Sequence, residues 1–298
     1  MPTQEHTADR AAPSLARSYY ELTKPGIAGF AMMTAGVSYY VATAGRADFL
    51  PVLYTLAGML LASAGALALN QYAERDLDAL MDRTRRRPLP SGRIRPRDAL
   101  AFGLVLVAAG ASLLWVTVGT LPALLTLVSA AAYNLIYTPL KSRSYAATLA
   151  GAIPGGMPAL IGWSAATGEV TLGALVLFGI GFLWQIPHVL ALAWLLREDY
   201  ARAGFLMAPP ADPEGRTIGR HMILYASALI PVSLLPTPLG LTGTIYLVGA
   251  LALGAMLLGF AVVARGEMSR RAVRRVFLGS LAYQPLLLAL MLVDTVRG

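Results

Sequence analysis

Long apolar runs separated by short polar connections dominate the chain. Nine stretches read as membrane-crossing helices, at about 26–45, 49–73, 98–119, 121–138, 146–166, 171–195, 219–238, 240–265 and 273–295. Roughly 20 apolar residues are what a helix needs to cross the hydrocarbon core. Only Gly119–Thr120 separates the third and fourth stretches, and the seventh and eighth are parted at Pro236–Gly240. No internal repeat and no long linker interrupts the pattern. The expectation is an all-α membrane protein of about nine transmembrane helices, one domain over residues 1–298 with a cytoplasmic tail over 1–21.

Composition supports this reading. Of the 298 residues, 56% are hydrophobic and 13% charged, against about 25% charged in soluble domains. Mean hydropathy is +0.60. Cysteine is absent, which excludes disulfides, a thiolate nucleophile and a zinc–thiolate site. The first 25 residues are polar and carry no apolar core, so no cleavable signal peptide is expected. The net charge of +8 would point to nucleic acid in a soluble protein, but its distribution argues otherwise. With the N-terminus inside, 22 of the 24 Lys and Arg fall on the cytoplasmic side and two, Arg46 and Arg297, on the other. That is the positive-inside bias. It predicts a cytoplasmic N-terminus, an external C-terminus and no nucleic-acid partner.

Three constellations carry candidate chemistry. In the first, Asn70, Glu74, Asp78 and Asp82 recur every four residues, and Arg83, Arg85, Arg86, Arg87, Pro88, Ser91 and Gly92 follow. Four-residue steps rotate little around a helix, so Asn70, Glu74 and Asp78 form a ladder of oxygen ligands at a helix end, with Asp82 drifting away and Asp76 facing elsewhere. Carboxylates so close repel and call for a cation. Mg²⁺, held by one or two carboxylates plus substrate phosphates, fits, and Arg83 and Arg87 are candidates for the remaining phosphate charge. A plain juxtamembrane charge run is the alternative.

The second constellation runs from Tyr133 and Asn134 through Tyr137, Pro139, Lys141 and Arg143 into a helix rich in Gly and Pro. Lys141 and Arg143 suit an anion; interfacial anchoring explains them equally well. The third is Trp184, Gln185, Pro187 and His188, then Arg197, Glu198, Asp199 and Tyr200. An ionisable His188 inside a membrane span marks a candidate site, although one inter-helix hydrogen bond would also satisfy it. On an unbroken helix His188 and Asp199 would share a face. His6 and His221 read as incidental. Carboxylates and a basic rim at the cytoplasmic face together suit an anionic phosphate head on a lipid-soluble tail.

These residues resemble the UbiA superfamily of intramembrane prenyltransferases. The superfamily pattern of Asn, two acids at four-residue spacing, Arg-Pro and Ser-Gly matches Asn70, Glu74, Asp78, Arg87, Pro88, Ser91 and Gly92, with Glu74 in place of an Asp. The stretch 74–84, the Gly151–Pro158 segment and Trp184 to His188 are similar to the subgroup that farnesylates protohaem IX. The resemblance runs from Leu22 to about Tyr200 and more weakly to the end. It implies a helical bundle around an intramembrane cavity, with Mg²⁺ as cofactor and farnesyl diphosphate and haem B as substrates. It also implies membrane lipid as surroundings and a haem A synthase or oxidase assembly factor as partner. In those terms Asn70, Glu74, Asp78, Lys141 and Asp199 are catalytic candidates, and Asn70, Glu74, Asp78, Glu198 and Asp199 metal candidates. Arg83, Arg87, Tyr137, Arg143, Trp184, Gln185, His188 and Arg197 are substrate-binding candidates. Where other superfamily members carry a second Asp-rich motif, this chain has His188, Glu198 and Asp199. A sister prenyltransferase acting on a quinone precursor or chlorophyllide, and a transporter for an anionic metabolite, are the competing readings.

Overall fold

Helix limits follow from local chemistry. Ser14 and Ser269 cap two helices by accepting hydrogen bonds from the amides of Arg17 and Ala272, the usual role of an N-cap serine. Pro25 and Pro96 open two more from the first turn, where a missing N–H costs nothing. Gly168, in the left-handed region, closes another. The computed structural model describes residues 13–207 and 212–297. Its helices are α1 (Leu15–Leu22), α2 (Pro25–Ala42), α3 (Phe49–Asp78), α4 (Pro96–Thr117) and α5 (Thr120–Ala131). A π-helical turn (Ala132–Tyr137) and α6 (Thr138–Leu140) continue α5, and α7 (Ala147–Thr167), α8 (Leu172–Leu195), α9 (Arg197–Arg202), α10 (Arg216–Leu234), α11 (Thr244–Glu267) and α12 (Arg270–Asp294) follow. Among the described residues the strand-like contact is one isolated bridge, Thr242 to Thr295.

Each expected apolar stretch coincides with one long helical segment, counting Thr120–Leu140 as one. Six of these are long and apolar enough to cross a membrane: α3, α4, Thr120–Leu140, α8, α11 and α12. Large apolar side chains such as Leu104, Trp115, Val128, Val248 and Val293 stand exposed on their outer faces, as lipid contact requires. The protein is an integral membrane protein. Two boundaries differ from expectation. Helix α3 continues through the acid ladder to Asp78 rather than ending near residue 73. Within the expected tail, residues 15–22 form α1, which buries Leu22 against Ala68, Leu89, Ile94 and Ala99; residues 1–12, His6 among them, lie outside the described residues.

Small residues let the central helices touch. A Cβ on Gly65 would stand 2.6 Å from the Gly103 carbonyl, and one on Gly110 would stand 2.5 Å from the Gly58 carbonyl. Helices α3 and α4 therefore meet backbone to backbone along Gly58, Gly65, Gly103 and Gly110, as small residues permit in membranes. Gly162 of α7 lies against the Ala35 carbonyl of α2 in the same way. The largest buried apolar cluster gathers residues of α2, α7, α8, α10, α11 and α12.

Candidate active site

Glu74 and Asp78 occupy the last two turns of α3, and both are buried together with Asn70. Each rung of this ladder faces a cation from a different element. Lys24 donates from Nζ to Asn70 Oδ1 at 3.1 Å. Lys141 donates to Glu74 Oε1 at 2.7 Å. Arg87 Nη1 donates to both Asp78 oxygens, at 2.8 and 2.7 Å. The sequence patterning found the acids, Lys141 and Arg87. It missed Lys24, whose only sequence signal is a lone base before Pro25.

Local structure explains how these bases arrive. Lys24 adopts φ 44°, a strained value for a residue with a Cβ. The turn is held because Gln71 Nε2 donates to the Leu22 carbonyl at 2.9 Å, and Arg93 binds Ser18 at 3.0 Å and Glu21 at 2.6 Å. Burial, with Arg87 and Lys141 nearby, pulls the Lys24 amine down to about 7; it is a base whose charge an arriving anion would favour. Lys141 follows the π-helical turn. Burial opposes its charge, but Tyr137 and Glu74 outweigh that and hold it protonated, above its ordinary value. The ammonium lies over the Tyr137 ring at 4.5 Å. In the same turn Thr138 donates to the Tyr133 carbonyl at 2.8 Å and accepts from Asn70 Nδ2 at 3.0 Å. One π-turn, a feature common at functional sites, thus orients Asn70 and presents Lys141 to Glu74.

The other polar candidates separate from this group. Helix α8 ends at Leu195, and Leu196 has φ −108° and ψ 16°. The unbroken helix assumed for His188 and Asp199 therefore does not exist, and the shared face is lost. Asp199 pairs with Arg202, which also reaches Asp82 at 3.1 Å. The Glu198 side chain is 85% exposed beside Arg197. Arg83 and Arg143 are exposed at the same rim. His221 sits one turn inside α10 and its Nδ1 lies 3.0 Å from the Tyr145 hydroxyl. Among the described residues no three His, Cys, Asp or Glu side chains converge as a metal cluster. Two carboxylates and an amide oxygen are nonetheless hard donors of the kind Mg²⁺ takes when phosphates complete its shell. On donor chemistry Asn70, Glu74 and Asp78 fit that ion, and Glu198 and Asp199 are not gathered with them.

An apolar cavity of about 560 Å³ lies among α2, α3, α5, α7, α8 and α12, and Tyr137 on its wall is the ring beneath the Lys141 ammonium that holds Glu74. Tyr133, Tyr137, Trp184, Gln185 and His188 are on its wall. Gln185 lies directly over Gly155, where any Cβ would stand 1.4 Å from its Oε1; that glycine makes room for the amide. His188 is stacked between Trp184, at 5.4 Å, and Phe277, at 4.9 Å. Its Nδ1 lies 2.9 Å from the Ser280 hydroxyl, and Trp184 Nε1 donates to the Ser280 carbonyl at 2.7 Å. Phe277 and Ser280 come from α12, and nothing in the local sequence pattern marked them. The arrangement sets a buried, ionic, oxygen-rich ladder beside an apolar cavity with aromatic walls.

Comparison with known proteins agrees with this architecture. The UbiA prenyltransferase family matches residues 31–291. A protoheme IX farnesyltransferase of Solibacter usitatus (strain Ellin6076) is 44% identical over 287 residues, covering 93% of this chain and 98% of the relative. One from Salinibacter ruber (strain DSM 13855 / M31) is 40% identical over 276 residues, covering 93% and 98%. Among solved structures, a digeranylgeranylglyceryl phosphate synthase superposes with a TM-score of 0.77 at 17% identity, covering 94% of this chain and 98% of that one. A UbiA homolog from Archaeoglobus fulgidus bound to GPP and Mg²⁺ gives 0.62 at 14% identity, covering 92% and 99%. The structural likenesses establish the shared fold, and the sequence matches establish more: the chain belongs to the UbiA prenyltransferase family.

Proposed function

We propose that the protein transfers a farnesyl group from farnesyl diphosphate to a vinyl group of protohaem IX (haem B), with water supplying a hydroxyl, to give haem O and diphosphate. The observation that carries this is the union of a cation-lined acid ladder with an apolar cavity bearing Trp184 and His188. The names of the relatives support the same substrate, and the homolog bound to GPP and Mg²⁺ supports prenyl diphosphate chemistry.

A vinyl group is a weak nucleophile, so the carbon–oxygen bond to diphosphate must be largely broken before attack. Asn70, Glu74 and Asp78 would hold Mg²⁺, which when bound supplies Lewis-acid stabilisation of the leaving diphosphate. Lys24, Lys141 and Arg87 each sit on one rung and can turn from it to phosphate oxygens, matching the charge as it develops. The apolar cavity receives the farnesyl chain and excludes water that would quench an allylic cation. The haem vinyl attacks the farnesyl C1, and the cation left beside the porphyrin takes up water with loss of a proton. Trp184, Gln185 and His188 form the macrocycle's side of the cavity. We assign this to one domain with a cytoplasmic active face. The membrane-bound product points to a partner that modifies haem or assembles an oxidase.

Incubating the purified protein with haem B, Mg²⁺ and farnesyl diphosphate tests the proposal. The expected result is farnesylated, hydroxylated haem by mass and an equal release of diphosphate. Prenylation of a quinone precursor or chlorophyllide with none of haem would overturn it, as would substrate uptake into vesicles without diphosphate release.

A further inference from the structure

We propose that Ser280 is a positioning residue that fixes His188 in the tautomer whose Nε2 coordinates the haem iron. The inference rests on haem B being the acceptor substrate, and it adds the atom that holds the iron and the residue that sets it. Ser280 is fully buried, and its hydroxyl has a single proton. We assign that proton to the Phe277 carbonyl, which accepts from Ser280 Oγ at 2.7 Å and is the nearer of its two partners. The hydroxyl can therefore meet His188 Nδ1, 2.9 Å away, only as an acceptor. Nδ1 carries the proton, and Nε2 is left with its lone pair.

The ring's other contacts are through its faces. Trp184 stacks on it at 18° between ring planes and Phe277 at 24°, so the imidazole cannot turn over without disturbing both. Nε2 makes no hydrogen bond among the described residues, and it is not among the sealed, unsatisfied atoms; the residue lines the cavity. An imidazole with Nδ1–H anchored and Nε2 free toward a cavity is the form a metal-ligating histidine takes, its far nitrogen donating to a supporting group. Coordination requires no proton transfer: the neutral ring gives its Nε2 lone pair to iron and Ser280 keeps the Nδ1 proton. Ser280 also anchors Trp184 through its backbone carbonyl, a bond that a side-chain substitution leaves intact.

The test is a titration of ferric haem B into the full-length protein in lipid nanodiscs, read by Soret absorption and electron paramagnetic resonance, beside iron-free protoporphyrin IX. The native protein should prefer haem to the iron-free ring and give a histidine-ligated iron signature. His188→Gly should lose both, and added imidazole should restore the signature. Ser280→Ala should weaken haem binding by about tenfold, the lower range for removing a ligand's supporting partner, and alter the iron signature. Its farnesyl diphosphate affinity should stay unchanged. An iron signature that survives in His188→Gly, or native spectra and affinity in Ser280→Ala, would overturn the proposal. Tight and equal binding of both porphyrins would overturn the ligation while leaving haem as substrate. Failure to bind either ring would overturn the substrate reading and this proposal with it.

Discussion

Glu74 and Asp78 stand one turn apart on α3, yet each carboxylate is neutralised by its own base instead of by relief of mutual repulsion. Removing one charge therefore strands its partner. Glu74→Gln leaves the Lys141 ammonium without its carboxylate in a mostly buried position, which should cost about 3 kcal/mol, the lower end for breaking a buried pair. It should also abolish Mg²⁺-dependent turnover. Adding Lys141→Met should recover the melting temperature but not the activity. Full turnover in Glu74→Gln, measured as diphosphate release, would remove the ladder from the mechanism. Asp78→Asn should behave alike, with Arg87 as the stranded base. The acids were legible in the sequence because a four-residue spacing is a local property of a helix. Their surroundings were not: Lys24 lies 46 residues from Asn70, and Ser280 lies 92 from His188. Contacts of that range depend on how helices pack, which composition and period do not encode.

The long helices themselves were legible, because each carries an uninterrupted apolar run. What sequence periodicity missed lies where a helix changes character: the break at Leu196 and the π-turn at Ala132–Tyr137. Both are changes in local backbone hydrogen bonding, which the spacing of apolar residues does not register. The α3–α4 seam gives a test at this scale. A Cβ on Gly65 would press on the Gly103 carbonyl and the Val107 amide, both backbone atoms that cannot swing aside. Gly65→Ala should therefore force the helices apart and cost about 1–3 kcal/mol, as overpacking does. Because α3 bears the ladder, turnover should fall with the melting temperature. On α11, Gly259 has nothing within 4 Å of a built Cβ, so Gly259→Ala should leave both unchanged. Equal behaviour of the two variants in detergent melts would mean that close backbone approach does not hold α3 in place.

Across the whole molecule, the ladder at the end of α3, its three bases and the Arg202 cluster should share one membrane face. The positive-inside bias of 22 basic residues to two leads us to propose that this face is cytoplasmic. Orientation then depends on how many helices cross. Six do so on length and apolarity alone; an odd count needs one or all three of α2, α7 and α10 to cross as well, and the expected nine needs all three. Helices α2 and α7 carry many small and hydroxyl residues because they face other helices rather than lipid. Ser38 of α2 donates to the Ala159 carbonyl of α7 at 2.7 Å, and Gly162 meets Ala35 there. Low hydropathy in such an interior position is a consequence of burial within the bundle, since neighbouring helices shield it from lipid. Lys24 before α2 reaches Asn70 near the end of α3, as it would if α2 and α3 both cross and return the chain to one face. Reporter fusions at the two termini should therefore report opposite sides, the N-terminus cytoplasmic and the C-terminus external. A cysteine placed at Arg46, in a chain that has none of its own, should be labelled from outside by a membrane-impermeant thiol reagent. Both termini on one side would leave an even number of crossings, with one or all three of α2, α7 and α10 failing to span; labelling at Arg46 would then decide whether α2 is among them.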